Sequence, residues 1–280
     1  MTNNQPKRRR YLIARHGETN YNKERRVQGT VDEPCTLTPN GITQAKSLGD
    51  YIAKRQGGEV QEGDDKSGDD ISQPITKTWC SPLTRCKQTY AAISEVCSTY
   101  TNTKSCPRYT LPNPTIHNNL HEIELCEWQN RLRQDIIKEE PDNWKVFKET
   151  PKLLTLTLLK DGKEFRPVVD CWDRGLECWR TIRSQTRESD EDGAIFIMCH
   201  GAIGQCMLLQ ALGLSIDNYG KSRRYSFDNC ECIEVEWPDD NNDNEETSCS
   251  VRWRRVHPDH DEWKSTLSTQ KMGCGLSSSR

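Results

Sequence analysis

The stretch Ala194-Ile195-Phe196-Ile197-Met198-Cys199 is six apolar residues in a row, and it ends abruptly in His200-Gly201. Such a run, with no polar alternation, suits a strand covered on both faces, as in the interior of a parallel sheet. Helical spacing takes over from Gly201 through Leu212. Tyr11-Leu12-Ile13-Ala14 repeats the arrangement and ends in Arg15-His16-Gly17-Glu18-Thr19. Ile75 to Cys80 ends in Ser81-Pro82, ahead of a helix from Leu83 to about Thr99. This alternation predicts an α/β fold, a three-layer α/β/α sandwich whose largely parallel sheet carries helices on both faces. In such sheets the ligand crevice lies at the carboxyl ends of the strands. Three strand ends thus deliver Arg15 and His16, Ser81 and Arg85, and His200 to one place.

The remaining segments fit around that frame. Thr38-Pro39-Asn40-Gly41 starts a helix, since threonine caps and proline fits the first turn. Ile42, Ala45, Leu48, Ile52 and Ala53 continue it to about Arg55. Residues 56–74 hold glycines, acids and almost nothing apolar, and read as a flexible insertion because alternation resumes after them. Further helices are expected around Asp135 to Lys148 and Cys171 to Arg187. A terminal hairpin, Cys230 to Trp237 with Val251 to Val256, encloses the acidic loop Asp239 to Glu246. The expected organisation is a basic disordered tail over 1–10, one domain over 11–256, and a disordered tail over 257–280.

Composition narrows the partners. The formal net charge is -3, so no global field favours nucleic acid or an anionic membrane, and neither is expected as a partner. No apolar run approaches the ~18 residues of a membrane span, and the first residues lack the apolar core of a secretory signal. The expected location is cytoplasmic. The cluster Lys7-Arg8-Arg9-Arg10 offers a weaker nuclear reading against the plainer one of a solvated tail. The 14 cysteines are then reduced thiols used as small core residues. Cys230 and Cys232 are the closest pair and would share a strand face, a weak basis for zinc. Pro258 argues against a regular helix that would present His257 and His260 to a metal.

Arg15, His16, Arg85 and His200 together suit phosphoryl chemistry. Arginine forks match phosphate oxygens and stay charged. A histidine beside fixed positive charge is held neutral, so a ring nitrogen keeps its lone pair and can attack phosphorus. The same arginines stabilise the transferring group. Gly17 is read as letting backbone approach the phosphate. A departing alkoxide needs a proton, and Glu122, Glu124 and Glu127 are the candidates for an acid opposite the nucleophile.

These residues carry a resemblance. Arg15-His16-Gly17-Glu18-Thr19, with Tyr21-Asn22 and Gln28-Gly29, resembles the opening motif of the histidine phosphatase superfamily, the phosphoglycerate-mutase-like family. Leu37-Thr38, Gly41 and Gln44-Ala45 continue it. Ser81-Pro82-Leu83 with Arg85, Gln88 and Thr89 is similar to the second motif. Leu120 with Glu122-Ile123 is similar to the proton-donor segment, and Cys199-His200-Gly201 to the second histidine motif. The resemblance runs from about Tyr11 to Trp237 and implies a mixed six-stranded sheet. It implies a phosphohistidine on His16 and a phosphoryl group held by Arg15, Arg85 and His200 with help from Asn22. Gln28, Gly29 and Gly201 complete the implied substrate-binding set, and Glu122 is the implied general acid. The substrate would be a small phosphorylated metabolite; no metal or organic cofactor is implied.

Two departures stand out. Cys126 occupies a position where the family usually has glycine, and Trp128-Gln129-Asn130 replaces Trp-Glu-Gly. Glu124 shares the face of Glu122 if the segment is extended, and is the reserve acid. The longer segment that mutases carry after the acid is not found, which favours a phosphatase over a mutase. The alternative from another class is a weakly active relative that binds a phosphorylated partner. Specificity is expected in the variable segment from Asn130 to Val169.

Overall fold

The computed structural model describes residues 8–56, 73–100, 110–187, 193–238, 250–256 and 270–271. In chain order these form β1 (Arg8–Arg15), α1 (Asn20–Glu24), α2 (Pro39–Gln56), β2 (Ile75–Cys80), α3 (Thr84–Thr99) and β3 (Thr115–Ile116). There follow α4 (Arg133–Glu139), α5 (Pro141–Glu149), β4 (Leu156–Thr157), β5 (Glu164–Phe165) and α6 (Pro167–Arg187). The chain continues through β6 (Ala194–Cys199), α7 (Gly201–Ala211), β7 (Cys232–Pro238), β8 (Ser250–Val256) and β9 (Gln270–Lys271). The core of the expected insertion, 57–72, lies outside the described residues. So do the acidic loop 239–249 and all of the expected C-terminal tail except 270–271.

The sheet runs in the order β3-β2-β6-β1-β7-β8, with the two-residue β9 added on β8. The first four strands are mutually parallel, and β7, β8 and β9 join antiparallel. This is the mixed α/β sheet that the resemblance implied; β4 and β5 pair separately. Alternation sorts the strand residues by face. Tyr11, Ile13, Ile195 and Ile197 join the core that holds Trp179 of α6 and Met207 of α7. Leu12, Ala14, Phe196 and Met198 join the core that holds Leu48 of α2 and Ile93 of α3. All six residues of β6 are buried because both faces are covered.

Four expectations need correction. The basic tail over 1–10 is wrong for its last three residues, because Arg8, Arg9 and Arg10 open β1. Arg9 and Arg10 are buried, and Glu236, directly opposite Arg10 in the register, binds its Nε at 2.9 Å. Arg9 donates to Thr186 O at 2.6 Å. A charged strand forms here because its partner strand supplies the carboxylates. The helix expected over 135–148 is two, since the residue before proline is pushed out of the helical region and Glu140 (φ -132°, ψ 55°) breaks the run at Pro141. The helix expected from Cys171 starts at Pro167, with proline in its first turn. Gln270–Lys271, placed in the disordered tail, pairs with Ser250 and Val251. The described cysteines sit in the core as expected: all eleven are buried. Cys230, however, precedes β7 at φ 56°, so it does not share a strand face with Cys232.

Candidate active site

The strand ends meet as the topology demands. β1 and β6 are paired in parallel, Arg15 beside Cys199, so His16 and His200 leave the sheet side by side. Their ring centroids are 5.1 Å apart, inclined at 64°. β2 lies on the other side of β6 and sends Ser81 and Arg85 to the same end. His16, Arg85 and His200 are all buried.

His16 is fixed in one tautomer. Its Nδ1 lies 2.8 Å from Gly17 O, and a carbonyl only accepts, so Nδ1 carries the proton and Nε2 keeps a lone pair. Burial, and then Arg85 and Arg15, push its pKa well below the ordinary histidine value, against the hydrogen bond to Gly17. His200 takes the opposite tautomer. Arg85 Nε donates to its Nδ1 at 3.2 Å, so Nε2–H donates to Ser81 Oγ at 2.7 Å. Burial, Arg85 and His16 push the pKa of His200 well down too.

The two arginines are deployed differently. Arg85 spends three of its five N–H groups on protein: one on His200, the others on Val31 O at 2.7 Å and Gly29 O at 2.8 Å. It stitches the loop after α1 to the histidine pair. Arg15 Nη1 donates to Phe227 O at 2.8 Å, while its buried Nε has no partner among the described residues. An unpartnered buried charged donor costs more than a neutral one, ~1–3 kcal/mol or above, unless a ligand takes the bond. Burial lowers the pKa of Arg15, and the carboxylates of Glu122 and Asp228 offset part of that. Gly201 lies against this guanidinium, its absent Cβ 3.5 Å from Nε.

The carboxylates separate cleanly. Glu122 Oε1 accepts from Ala202 N at 3.0 Å and Ile203 N at 3.4 Å, at the start of α7 immediately after His200. A helix N-terminus leaves such N–H groups unpaired, and a carboxylate satisfies them. Glu124 faces away from this pair: its oxygens accept from Cys126 N at 2.7 Å and Thr30 Oγ1 at 2.6 Å. It braces the loop, as Gln129 does from beside Gly29 and Thr30. Glu127 is turned toward Thr157 N of β4.

Other expected site residues have protein partners here. Asn22 Oδ1 accepts from Thr19 N and Asn229 Nδ2, both at 3.1 Å, and forms a capping box with Thr19 at the start of α1. Gln28 Oε1 accepts from Cys35 Sγ at 3.3 Å. Gly29, at φ 53°, presents its carbonyl to Arg85. At Gly17 a Cβ would come within 2.5 Å of Gly41 O, so glycine here also lets the loop pack on α2. Thr89 Oγ1 accepts from Gly17 N at 3.0 Å and donates to Arg85 O at 2.7 Å. Sequence reasoning missed Asn229, which donates to His16 O at 3.1 Å, and Arg174, on α6, which reaches the acid loop. Neither lies in a motif, so spacing gave no signal for them.

Comparison with known proteins identifies the family. The profile of the histidine phosphatase superfamily (branch 1) matches residues 11–61 and 66–249. A probable 2-carboxy-D-arabinitol-1-phosphatase of Arabidopsis thaliana is 24% identical over 216 residues, 75% of this chain and 35% of that protein. The chain thus spans about a third of the length of this plant relative. A probable phosphoglycerate mutase of Citrobacter koseri is 25% identical over 81% of this chain and 84% of its own length. Among solved structures, mycobacterial glucosyl-3-phosphoglycerate phosphatase superposes with a TM-score of 0.62 at 18% identity, covering 95% of this chain and 100% of that one.

Proposed function

The chain belongs to the histidine phosphatase superfamily (branch 1), and from that membership we propose that it hydrolyses a small phosphorylated metabolite through a phosphohistidine on His16. The observation that carries the reading is the state of His16. Its Nδ1–H is held by Gly17 O, its imidazolium is disfavoured, and Nε2 is left as a nucleophile between two arginines. The names of the relatives support a phosphate monoester as substrate class.

The geometry supports the following steps. Nε2 of His16 attacks phosphorus as the ester P–O bond breaks, and Glu122 gives its proton to the departing alkoxide oxygen. Arg15 Nε binds one phosphoryl oxygen and so gains the partner it lacks. The two N–H groups of Arg85 not spent on protein bind another. His200 Nε2–H exchanges Ser81 for a phosphoryl oxygen and orients Arg85 through Nδ1. Water then attacks the phosphohistidine, Glu122 takes its proton, and the P–N electron pair returns to His16. Charge is stabilised throughout by arginine, so turnover should persist in EDTA.

His16→Ala should abolish turnover and leave a folded protein, and wild type should yield an acid-labile, base-stable phosphate on trapping. Residual turnover within ~10-fold of wild type, a barrier change under about 1.4 kcal/mol, overturns the mechanism. The similarity to a mutase along most of its length motivates a second assay. Release of inorganic phosphate from 3-phosphoglycerate, rather than its isomerisation, is the expected result.

A further inference from the structure

The residue that holds the acid loop in place lies on a different element, far away in sequence. Arg174 sits in the first half of α6, and its guanidinium is nearly buried. Its Nη1 donates to Asn119 O at 2.9 Å and His121 O at 2.8 Å, and its Nη2 to Glu122 O at 3.2 Å. Its Nε binds Asp170 Oδ2 at 2.9 Å, one helical turn back. One planar cation therefore gathers three carbonyls from four consecutive residues, the last of them belonging to Glu122 itself. That segment has no regular strand or helix to hold it apart from a single turn at Asn118–Leu120. The imidazole of His121 adds one more bond, Nδ1–H to Glu122 O at 2.8 Å.

We propose that Arg174, oriented by Asp170, is a positioning residue for the proton donor: it fixes the backbone of Glu122 so that the carboxyl group sits at the start of α7 beside His200. The geometry explains why a planar fork is used. Lysine would bring one point charge, while guanidinium serves divergent carbonyls and a carboxylate at once. Arg174 makes no hydrogen bond to His16, His200, Arg15 or Arg85, so it acts on the reaction through Glu122 alone. It also ties α6, which follows the variable segment, to the acid, and thus couples the segment expected to choose the substrate to the residue that completes the reaction.

The inference rests on Glu122 being the acid, and the experiment separates the two. Rates are compared for an alkyl ester, glycerol 2-phosphate, and an aryl ester, 4-nitrophenyl phosphate, whose leaving group needs no proton. Glu122→Gln should slow the alkyl ester severely and the aryl ester much less. Arg174→Gln should show the same contrast in kcat, with a loss of about 10-fold or more on the alkyl ester and under ~3-fold on the aryl one, since small misplacement of a reacting group costs that much. Arg174→Lys should recover part of the alkyl rate. The double variant should be no slower on the alkyl ester than Glu122→Gln, because both changes remove one function. Arg180→Gln, an exposed change on the same helix, should alter neither rate. Equal losses of both esters in Arg174→Gln, or additive losses in the double variant, overturn the positioning role while the acid stands. Absence of the contrast in Glu122→Gln overturns both.

Discussion

Cys126 and Asn130 occupy the positions where the family usually has glycine, and both keep a glycine-like backbone, at φ 48° and 64°. The departure read in the sequence therefore changes the side chains at two positions whose backbone still sits in the region that favours glycine. Asparagine tolerates this region, but cysteine does so at a cost of ~1–2 kcal/mol. Burial, with Glu124 and Glu127 beside it, pushes the Cys126 thiol up to about 12, so the residue is an inert occupant of the core and not a second nucleophile. Cys126→Ala keeps the strained Cβ, whereas Cys126→Gly removes it. The glycine variant should be the more stable of the two by about 1 kcal/mol, the reverse of the order in a helix or strand interior. Urea midpoints of the two variants decide this, and an alanine variant equal to or above the glycine one would show that the loop relaxes. What was legible at this scale was identity: His16, Arg15, Arg85 and His200 follow from motif and strand end alone. What was not legible was division of labour. The motif residues Asn22, Gln28, Thr89 and Gly17 make contacts that hold the loops together, and hydrogen-bond geometry alone reveals that part of their work.

Elements were legible wherever one physical signal acted alone. β6 and α7 were expected within a residue of their observed bounds, because an unbroken apolar run and a helical stripe have few competing solutions. β1 was cut short because three arginines do not look like strand, and the carboxylates that permit it lie more than 220 residues away on β7. The break between α4 and α5 lies at Pro141, inside the span expected to be one helix. Glu140 gives that break a purpose. Its carboxylate accepts from Trp128 Nε1 at 2.8 Å and Arg131 Nη1 at 2.6 Å, tying the variable segment to the buried indole of the acid loop. Burial raises its pKa, but the bonds from Trp128, Arg131 and Asn143 outweigh this and hold it below the ordinary carboxylate value. Glu140→Ala leaves the indole N–H of the fully buried Trp128 without its acceptor, a loss of ~1–3 kcal/mol. Glu140→Gln, which keeps an acceptor, should lose distinctly less. Thermal unfolding of both variants is the measurement, and equal destabilisation would place the effect in the helix break and not in the bond.

Across the whole molecule, one end of the sheet is built against its own stability. Two helices cover each face, the apolar residues of β1 and β6 alternate between the two cores, and the ordinary terms of folding are met there. At the carboxyl ends, by contrast, two imidazoles and the Arg85 guanidinium are buried beside the partly buried Arg15, and one buried donor, Arg15 Nε, has no partner among the described residues. The cost is readable as a dependence on pH. The folded pKa values of His16 and His200 lie well below the ordinary 6.5, so the folded protein binds fewer protons than the unfolded chain once the pH falls under that value. Stability is therefore fully present above pH 6.5 and is lost as the pH falls toward the folded values. Each imidazole contributes a slope of up to about 1.4 kcal/mol per pH unit. His16→Gln should unfold at a urea midpoint that falls less steeply between pH 7.5 and 5.5 than that of wild type, and His200→Gln should behave likewise. A saturating phosphate-like anion such as vanadate should raise the wild-type midpoint by giving Arg15 Nε its partner, and should do less for His16→Gln. On the proposed mechanism the acid limb of kcat/KM should also lie below pH 6.5, because the free enzyme keeps the lone pair on His16 that attack would require. If the three proteins share one pH slope of stability, then the two imidazoles are not held neutral by the fold, and the nucleophile has to be made by the substrate on arrival.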